Sequence, residues 1–358
     1  MINGTILKSK IFNISLICAF FLVLGAFFNT AAAQEAKPEG EGKKFDPKET
    51  IMEHIADKHE WHLFGKAYIP LPVILYTDKG LETFSSSNLQ PQGTVYAGKY
   101  YSYMLVDNKI KVATADKKVD EVNNKKVIDF SITQNVASMW MTGIILILVF
   151  FSVAGSYKKR AGKAPKGLQS WMEPLVLFIR DDVALPNIGV KYKAYMPLLL
   201  TIFFFILINN IFGMIPFFPG GFNLTGNIAV TLVLAVIILL VVNFKANKYY
   251  WKHIFVPNPW WLFPIMIPVE IVSIFSKPIA LMIRLFANIT AGHIVVLSLV
   301  SLIFIFNSLW ISPVSVVFVV FIDTIEVLVA FLQAYIFTML ASLFIGMAIQ
   351  DHHDHEVI

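Results

Sequence analysis

Charged residues are scarce in this chain. Of its 358 residues, 15% are Asp, Glu, Lys or Arg and 56% are hydrophobic, whereas a soluble domain carries about 25% charged residues. The deficit excludes an ordinary soluble globular protein and predicts that lipid surrounds most of the chain. The net charge of +5 does not indicate nucleic acid as a partner, because the basic residues lie in short clusters beside apolar stretches, where such residues set membrane topology.

Cysteine is nearly absent as well. The only one, Cys18, lies in an apolar run from Ile11 to Phe28. Two lysines precede this run and the small residues Thr30 to Ala33 follow it, which is the pattern of a secretory signal peptide over residues 1–33. The alternative is an uncleaved first membrane span, since the run is long for a signal peptide. After cleavage no thiol would remain for disulfides or thiol chemistry.

Residues 34–135 differ in character from both neighbouring regions. A Lys/Glu-rich linker from Glu35 to Glu49 leads into mixed polar and aromatic sequence that contains no run long enough to cross a bilayer. Strand-like alternation and turn residues occur in Tyr68 to Tyr76, Thr94 to Val106 and Lys109 to Val127. We predict a small soluble domain on the periplasmic face.

Two groups of histidines raise the question of metal binding. The first lies in the soluble region and the second in the polar tail, residues 351–358. Their members are His54, His59 and His62 with Glu53, and His352, His353 and His355. A solvated helix surface for the first group and a solvated chain end for the second are the simpler interpretations. We therefore predict neither a metal nor a cofactor.

Five apolar stretches predict an all-α polytopic membrane domain over residues 136–350. They run from Met139 to Val153, from about Met196 to Phe218, from Ile228 to Phe244, from about Pro264 to Phe306 and from Pro313 to Ile349. At ~1.5 Å per residue the fourth stretch is about 60 Å long, twice the ~30 Å hydrocarbon core. It must therefore tilt steeply or bend near Pro268 and Pro278, so we expect a steeply tilted C-terminal helical hairpin.

The charges of the connecting loops predict the orientation. Two loops carry the basic residues: Lys158, Lys159, Arg160, Lys163 and Lys166 after the first span, and Lys245, Lys248 and Lys252 after the third. The loops Pro219 to Gly226 and Asn307 to Pro313 carry no charge. The positive-inside rule places the basic loops and the C-terminus in the cytoplasm. The predicted signal peptide supports this orientation independently, because it directs the N-terminal domain to the periplasmic side of a bacterial inner membrane.

The fourth span has one polar face. At 100° per residue Glu270, Lys277, Arg284 and Asn288 fall within a band of about 80°. Arginine at mid-helix costs about 2.5 to 3.5 kcal/mol unless it meets water or an anion. One explanation is a structural ion pair with Asp323 or Glu326 of the last span. The other is a carboxylate brought by a partner protein, because Arg284 shares its face with small alanines that let a foreign helix approach.

Further ionisable residues lie in the last two spans. His293 follows Arg284 by nine residues, so it points to the opposite side of the helix, and it is either a packed, hydrogen-bonded histidine or a proton carrier. In the last span Glu326 and Gln333 share a face, with Asp323 about 60° away. Buried acids titrate instead of remaining charged in lipid, so His293 and Glu326 form a candidate proton relay.

The last two spans contain a set of short motifs. They are Ser276-Lys-Pro, Arg284-Leu-Phe-Ala-Asn288, Ala291-Gly292 and Gln333-Ala-Tyr-Ile-Phe. Through these motifs the stretch from about Met139 to Gln350 resembles subunit a of the F-type rotary ATP synthase. The signal segment and residues 35–135 depart from the family pattern.

The resemblance implies an ion-translocating stator subunit that is not an enzyme by itself. Arg284 would face a rotating ring of c subunits, with Asn288 and Gln333 close by, and Glu270 would serve the exit half-channel. His293 and Glu326 would form the entry relay with their usual positions exchanged. The implied partners are the c ring, the b-subunit peripheral stalk and the rest of the F1Fo complex. A self-contained cation transporter and a non-conducting scaffold for the periplasmic domain are the alternatives.

Overall fold

The computed structural model describes residues 57–349 except 65–66, 92, 107, 115–117, 161, 216–219, 221, 223, 256–262 and 307–311. The predicted signal peptide, the Glu35–Glu49 linker, His54 and the tail histidines lie outside the described residues. The chain divides into two compact units. The first consists of Met1–Ala137, Phe212–Phe222 and Ala291–Val327, and the second of Ser138–Ile211, Asn223–Thr290 and Leu328–Ile358.

The first unit contains all the described β-strands. They are β1 (Glu60–Phe64), β2 (Ala67–Pro70), β3 (Pro72–Thr77), β4 (Gly80–Ser85), β5 (Tyr96–Ala97), β6 (Ser102–Val106), β7 (Lys109–Val112) and β8 (Val127–Asp129), with a short helix α1 (Glu121–Asn124) before β8. They form the antiparallel sheets β1-β2, β4-β3-β8 and β5-β6-β7. The predicted strand-rich N-terminal region is therefore confirmed.

Alternating side chains of these strands build the core of the N-terminal region. Val73 and Leu75 of β3 are fully buried, and Tyr103 of β6 packs with them. The Tyr103 hydroxyl donates a hydrogen bond to Glu82 at 2.9 Å, and Glu82 is itself buried. Burial, together with this hydrogen bond to a carboxylate, raises the pKa of the Tyr103 phenol well above its ordinary value. The pair is thus a satisfied polar contact inside an apolar core.

The interpretation of His59 and His62 as part of a solvated helix surface is wrong. His62 lies in β1, which pairs with β2, and His59 directly precedes this strand with a side chain only 7% exposed. The His59 Nε2 atom lies 3.7 Å from Asp129 Oδ2. The stretch Glu60–Phe64 is rich in aromatic residues and buries Trp61, which favours a strand over the exposed helix that the spacing of the histidines had suggested.

The remaining elements are helices. They are α2 (Gln134–Lys159), α3 (Leu168–Phe178), α4 (Leu185–Ile188), α5 (Tyr192–Gly213), α6 (Ile228–Lys245), α7 (Lys248–Phe255), α8 (Phe263–Phe306) and α9 (Ser312–Ile349), with a π-helical segment at Ile179–Ala184. Five stretches of the described residues are long and apolar enough to cross a membrane. The prediction of five spans in a multi-pass membrane protein is confirmed.

The second span differs from its prediction. Helical structure begins at Leu168, and α5 itself runs from Tyr192 to Gly213 instead of from Met196 to Phe218. The charged residues of the π-helical segment and two nearby prolines gave this region a loop-like sequence. A single helical stretch of 46 residues, Leu168–Gly213, joins these elements in the structure.

The two last helices are long. Helix α8 has 44 residues and continues through Pro268 and Pro278, and α9 has 38 residues. At ~1.5 Å per residue α8 measures about 66 Å, so it fits a ~30 Å hydrocarbon core only if it is strongly inclined or curved. The long C-terminal helices are confirmed, and their steep tilt stays a prediction.

Small residues give α9 a closely packed face in the second unit. Ala334, Ala341 and Ala348 are fully buried at intervals of seven residues. The Ser342 hydroxyl donates a hydrogen bond to the Val183 carbonyl at 3.0 Å, and a β-carbon at Gly346 would overlap the Asn187 carbonyl. Such contacts let the backbones approach closely, as helices in lipid do. They fix this half of α9 and thereby the position of Gln333.

Candidate functional site

The predicted site residues fall into two groups, one in each unit. The arginine cluster belongs to the second unit and consists of Glu270, Lys277, Arg284, Asn288 and Gln333. The acid cluster belongs to the first unit and consists of His293, Asp323 and Glu326. Both clusters are carried by the same two helices, α8 and α9.

Arg284 lies on an exposed face of α8. Its side chain is exposed, as are Ala280 and Ala287 one turn to either side. Among the described residues of the second unit, no carboxylate lies within ion-pair distance of the Arg284 guanidinium. The guanidinium keeps its charge at any physiological pH. The face therefore presents a permanent cation among small side chains.

A hydrogen bond between α8 and α9 lies one turn beyond Arg284. The Asn288 amide nitrogen donates to Gln333 Oε1 at 2.6 Å. Gln333 is only 1% exposed, and its Nε2 atom has no hydrogen-bond partner among the described residues. Two motifs that are 45 residues apart in sequence are thus brought together. The buried amide nitrogen leaves a donor available beside the exposed cation.

Two adjacent asparagines of α5 bond to other elements of the second unit. Asn210 Nδ2 donates to the Ala330 carbonyl of α9 at 3.2 Å, and its Oδ1 accepts from the Thr225 hydroxyl at 2.8 Å. Asn209 Oδ1 accepts from the Thr142 hydroxyl of α2 at 2.9 Å. No role is predicted for these asparagines from the sequence. Adjacent amides in the middle of an apolar helix were the available signal, because buried amides need partners.

The other two members of the arginine cluster have separate surroundings. Glu270 is half-buried and lies near Tyr250 of α7, where burial and then the negative charge of Glu270 raise the pKa of the Tyr250 phenol. Lys277 is half-buried, and its Nζ atom stands 5.6 Å from the centre of the Phe344 ring. Among the described residues, neither Glu270 nor Lys277 forms a hydrogen bond or an ion pair with Arg284.

The acid cluster contains a buried carboxyl group at a close helix contact. Glu326 is 8% exposed, and its Oε1 atom has no hydrogen-bond partner among the described residues. It packs against Gly292 of α8, where a β-carbon would stand 2.7 Å from Oε1. The Ser315 hydroxyl donates to the Leu299 carbonyl at 2.5 Å, which ties the two helices together further along. A β-carbon at position 292 would therefore force the Glu326 carboxyl group to shift.

His293 and Asp323 complete the acid cluster. Both are half-buried. His293 lies beside Gly213 at the end of α5, where a β-carbon would stand 3.8 Å from the His293 Nε2 atom. The structure thus places His293 beside Gly213 and Glu326 beside Gly292, while proton transfer between the two remains a prediction. No group of three His, Cys, Asp or Glu side chains suited to a metal ion occurs in the described part of the chain.

The contact at Gly292 gives a first prediction. We expect Gly292→Ala to displace the Glu326 carboxyl group, because the added carbon would lie 2.7 Å from Oε1 and 3.0 Å from Cδ. Proton flow through the assembled complex should fall about 10-fold or more, because a misplacement of a reacting group by about 1 Å can cost about 100-fold in rate. Gly143→Ala is the matched control, since nothing lies within 4 Å of its β-carbon. Equal flow in both variants would contradict the importance of this contact.

Comparison with known proteins identifies the membrane part. The family model described as ATP synthase A chain matches residues 136–346, and a domain of unknown function (DUF8433) matches residues 50–130. ATP synthase subunit a of Chloroherpeton thalassium is 49% identical over 233 residues, which cover 63% of this chain and 69% of the relative.

Two further relatives agree. ATP synthase subunit a 2 of Chlorobaculum tepidum is 47% identical over 239 residues, covering 64% of this chain and 67% of the relative. ATP synthase subunit a of an Anaeromyxobacter species is 43% identical over 238 residues, covering 64% and 57%. The family model alone covers more than half of the chain. This polytopic chain, with Arg284 exposed on α8 and Asn288 bonded to Gln333, belongs to the ATP synthase A chain family.

Proposed function

We propose that this subunit carries protons through two offset half-channels to and from a rotating ring of c subunits, and so couples the ion gradient to ATP synthesis. As a subunit a of the ATP synthase, it serves in the stator of the membrane motor and is not itself catalytic. The observation that carries the mechanism is the exposed Arg284 guanidinium on a face of small residues. A permanent cation in that position needs an anion, and a foreign helix has room to bring one.

Arg284 acts on the ring carboxylate by direct attraction. At ~4 Å and an effective dielectric constant near 20, two opposite charges attract by about 4 kcal/mol. A ring carboxylate that passes Arg284 is therefore held ionised and gives up its proton to one half-channel. It takes a proton from the other half-channel once it has moved on. Because the guanidinium does not release its proton, it also prevents a direct leak between the half-channels.

Each half-channel has its own ionisable residues. The acid cluster serves the periplasmic half, where His293 and Glu326 pass protons and Asp323 lies near their path. Glu270 serves the cytoplasmic half. Asn288 and Gln333 hold the surface on which the ring carboxylate meets Arg284, and the Gln333 Nε2 atom that lacks a partner among the described residues offers that carboxylate a hydrogen bond.

The proposed surroundings of the subunit follow from its charges and its family. The basic loops after the first and third spans lie in the cytoplasm, and the N-terminal β-region lies in the periplasm. A ring of c subunits faces Arg284, and the b subunits of the peripheral stalk hold the subunit in place. A self-contained cation transporter is not favoured, because a chain of this family works within a complex. A pure scaffold leaves the polar face of α8 unexplained.

Purification in mild detergent tests this assignment directly. We expect the tagged chain to be recovered with a c ring and with ATP hydrolysis activity from a catalytic head, since its role exists only within that complex. A control purification from cells that carry the untagged chain sets the background. Recovery of the chain alone, with cation transport after reconstitution into vesicles, would instead support the transporter.

A further inference from the structure

The N-terminal β-region contacts a segment that reaches the acid cluster, all within the first unit. Trp61 of β1 is 6% exposed, and its indole Nε1 donates a hydrogen bond to the Gly220 carbonyl at 3.2 Å. Its ring meets the Phe222 ring edge to face, with the ring centres 6.1 Å apart. A tryptophan from the region of unknown function is thus anchored on the connection between α5 and α6.

Gly220 and Phe222 pack closely against the end of α5. Phe222 is 3% exposed and meets the Phe212 ring edge to face at 6.4 Å. A β-carbon at Gly220 would overlap the carbonyl groups of Phe212 and Ile215. A displacement at Gly220 or Phe222 is therefore passed on to the end of α5.

The end of α5 lies against His293. A β-carbon at Gly213 would stand 3.0 Å from the Phe222 carbonyl oxygen and 3.8 Å from His293 Nε2. A series of neighbouring residues thus runs from Trp61 through Phe222 to Gly213 and then to the histidine. All of these residues belong to the first unit.

We propose that Trp61 is a positioning residue for His293: through Phe222 and the end of α5, the N-terminal β-region sets the place of the histidine that takes up protons at the periplasmic side. This inference rests on the proposed role of His293 in the relay. It gives the β-region a function in ion flow, because a proton carrier works only when its ring is held within hydrogen-bond reach of its donor and acceptor.

The indole suits this position for two reasons. Its ring supplies a large apolar contact to Phe222, and its N–H group donates a hydrogen bond to the carbonyl of the buried Gly220. Phenylalanine at position 61 would keep much of the ring contact and lose the hydrogen bond. Alanine would lose both. The two substitutions therefore weaken the contact of residue 61 in two steps, and neither of them adds a charge.

The test compares Trp61 variants in the wild-type background and in a His293→Asn background. We expect Trp61→Phe to slow proton flow through the assembled complex about threefold to tenfold, the rate equivalent of one lost hydrogen bond, and Trp61→Ala to slow it more. Tyr76→Ala is the control, because Tyr76 is a 54% exposed aromatic residue of the same β-region. In the His293→Asn background the Trp61 substitutions should have almost no further effect.

Each outcome decides the proposal. Wild-type flow in Trp61→Phe would overturn it, and so would an equal fold-decrease in both backgrounds, which is the mark of a purely structural anchor. If Trp61→Ala fails to assemble, the phenylalanine variant alone decides. Wild-type flow in His293→Asn itself would refute the relay instead, so failure of the inference and failure of the proposed function are distinguishable.

Discussion

Replacement of Arg284 by alanine is expected to abolish ATP-driven proton pumping in inverted membrane vesicles. The change removes an attraction of about 4 kcal/mol on the ring carboxylate, which corresponds to about a thousandfold in rate. The carboxylate would then keep its proton as it passes. Loss of the permanent charge should also open a direct path between the half-channels, so passive proton flow should rise.

Lysine at position 284 tests whether a positive charge alone is sufficient or whether the shape of the guanidinium is also needed. A buried lysine can release its proton and lacks the planar fork of the guanidinium, so we expect Arg284→Lys to fail as well. Val272→Ala is the control, since Val272 is a 65% exposed residue of the same helix that lies outside the arginine cluster. ATP hydrolysis and recovery of the c ring must be intact in every variant. Normal pumping in both Arg284 variants would eliminate the proposed role.

Replacement of Glu326 is expected to have the next largest effect. A positioned group that transfers protons contributes about 100-fold or more to a rate, so Glu326→Ala should slow proton flow by about that factor. Glu326→Gln should be almost as slow, because the amide fills the space beside Gly292 but cannot carry the proton.

The glutamine variant makes the Glu326 prediction specific. If Glu326 served only to pack against Gly292, Glu326→Gln would retain most of the flow and Glu326→Ala would not. Thr324→Ala is the control on the same helix, because Thr324 is exposed and its hydroxyl donates only to the Val320 carbonyl of its own helix. Flow is measured as the decay of an imposed pH gradient in vesicles that hold the assembled complex. Wild-type flow in Glu326→Ala would remove this residue from the relay.

The spans could be predicted because lipid imposes one simple rule on composition. Long apolar runs must be helices, since every backbone polar group has to be satisfied within its own segment. Helices that are not long apolar runs could not be predicted in this way. The stretch from Leu168 to Ile188 contains prolines and charged residues, yet it is helical and packs against α9 through Val183 and Asn187.

The N-terminal region was predicted in outline only. Alternating residues indicated the stretches that hold β2, β3, β5, β6 and β7, but β4 was not predicted, and His59 and His62 were interpreted as a helix surface where β1 begins. Local sequence could not reveal that β1 pairs with β2 or that His59 is buried beside Asp129. Pairing between strands depends on contacts that spacing alone does not encode.

The chemistry of the site residues allowed them to be predicted from the sequence. Their surroundings in the fold could not be predicted in this way. A charged or amide side chain within an apolar run stands out, so Arg284, Asn288 and Glu326 could be selected from the sequence. The glycine that makes room for Glu326 and the tryptophan anchored on Gly220 carry no such signal. Their contacts can be recognised only in the fold, where segments that are far apart in sequence come together.

Disulfide cross-linking tests the central claim most directly, namely that a foreign acid-bearing helix lies against the Arg284 face. The only native cysteine, Cys18, lies in the predicted signal segment, so the background is low. We predict that Ala287→Cys, an exposed position beside Arg284, cross-links to a cysteine introduced next to the ring carboxylate, whereas the fully buried control Ala334→Cys does not. Absence of any Ala287→Cys cross-link to the ring in an assembled, active complex would contradict the account.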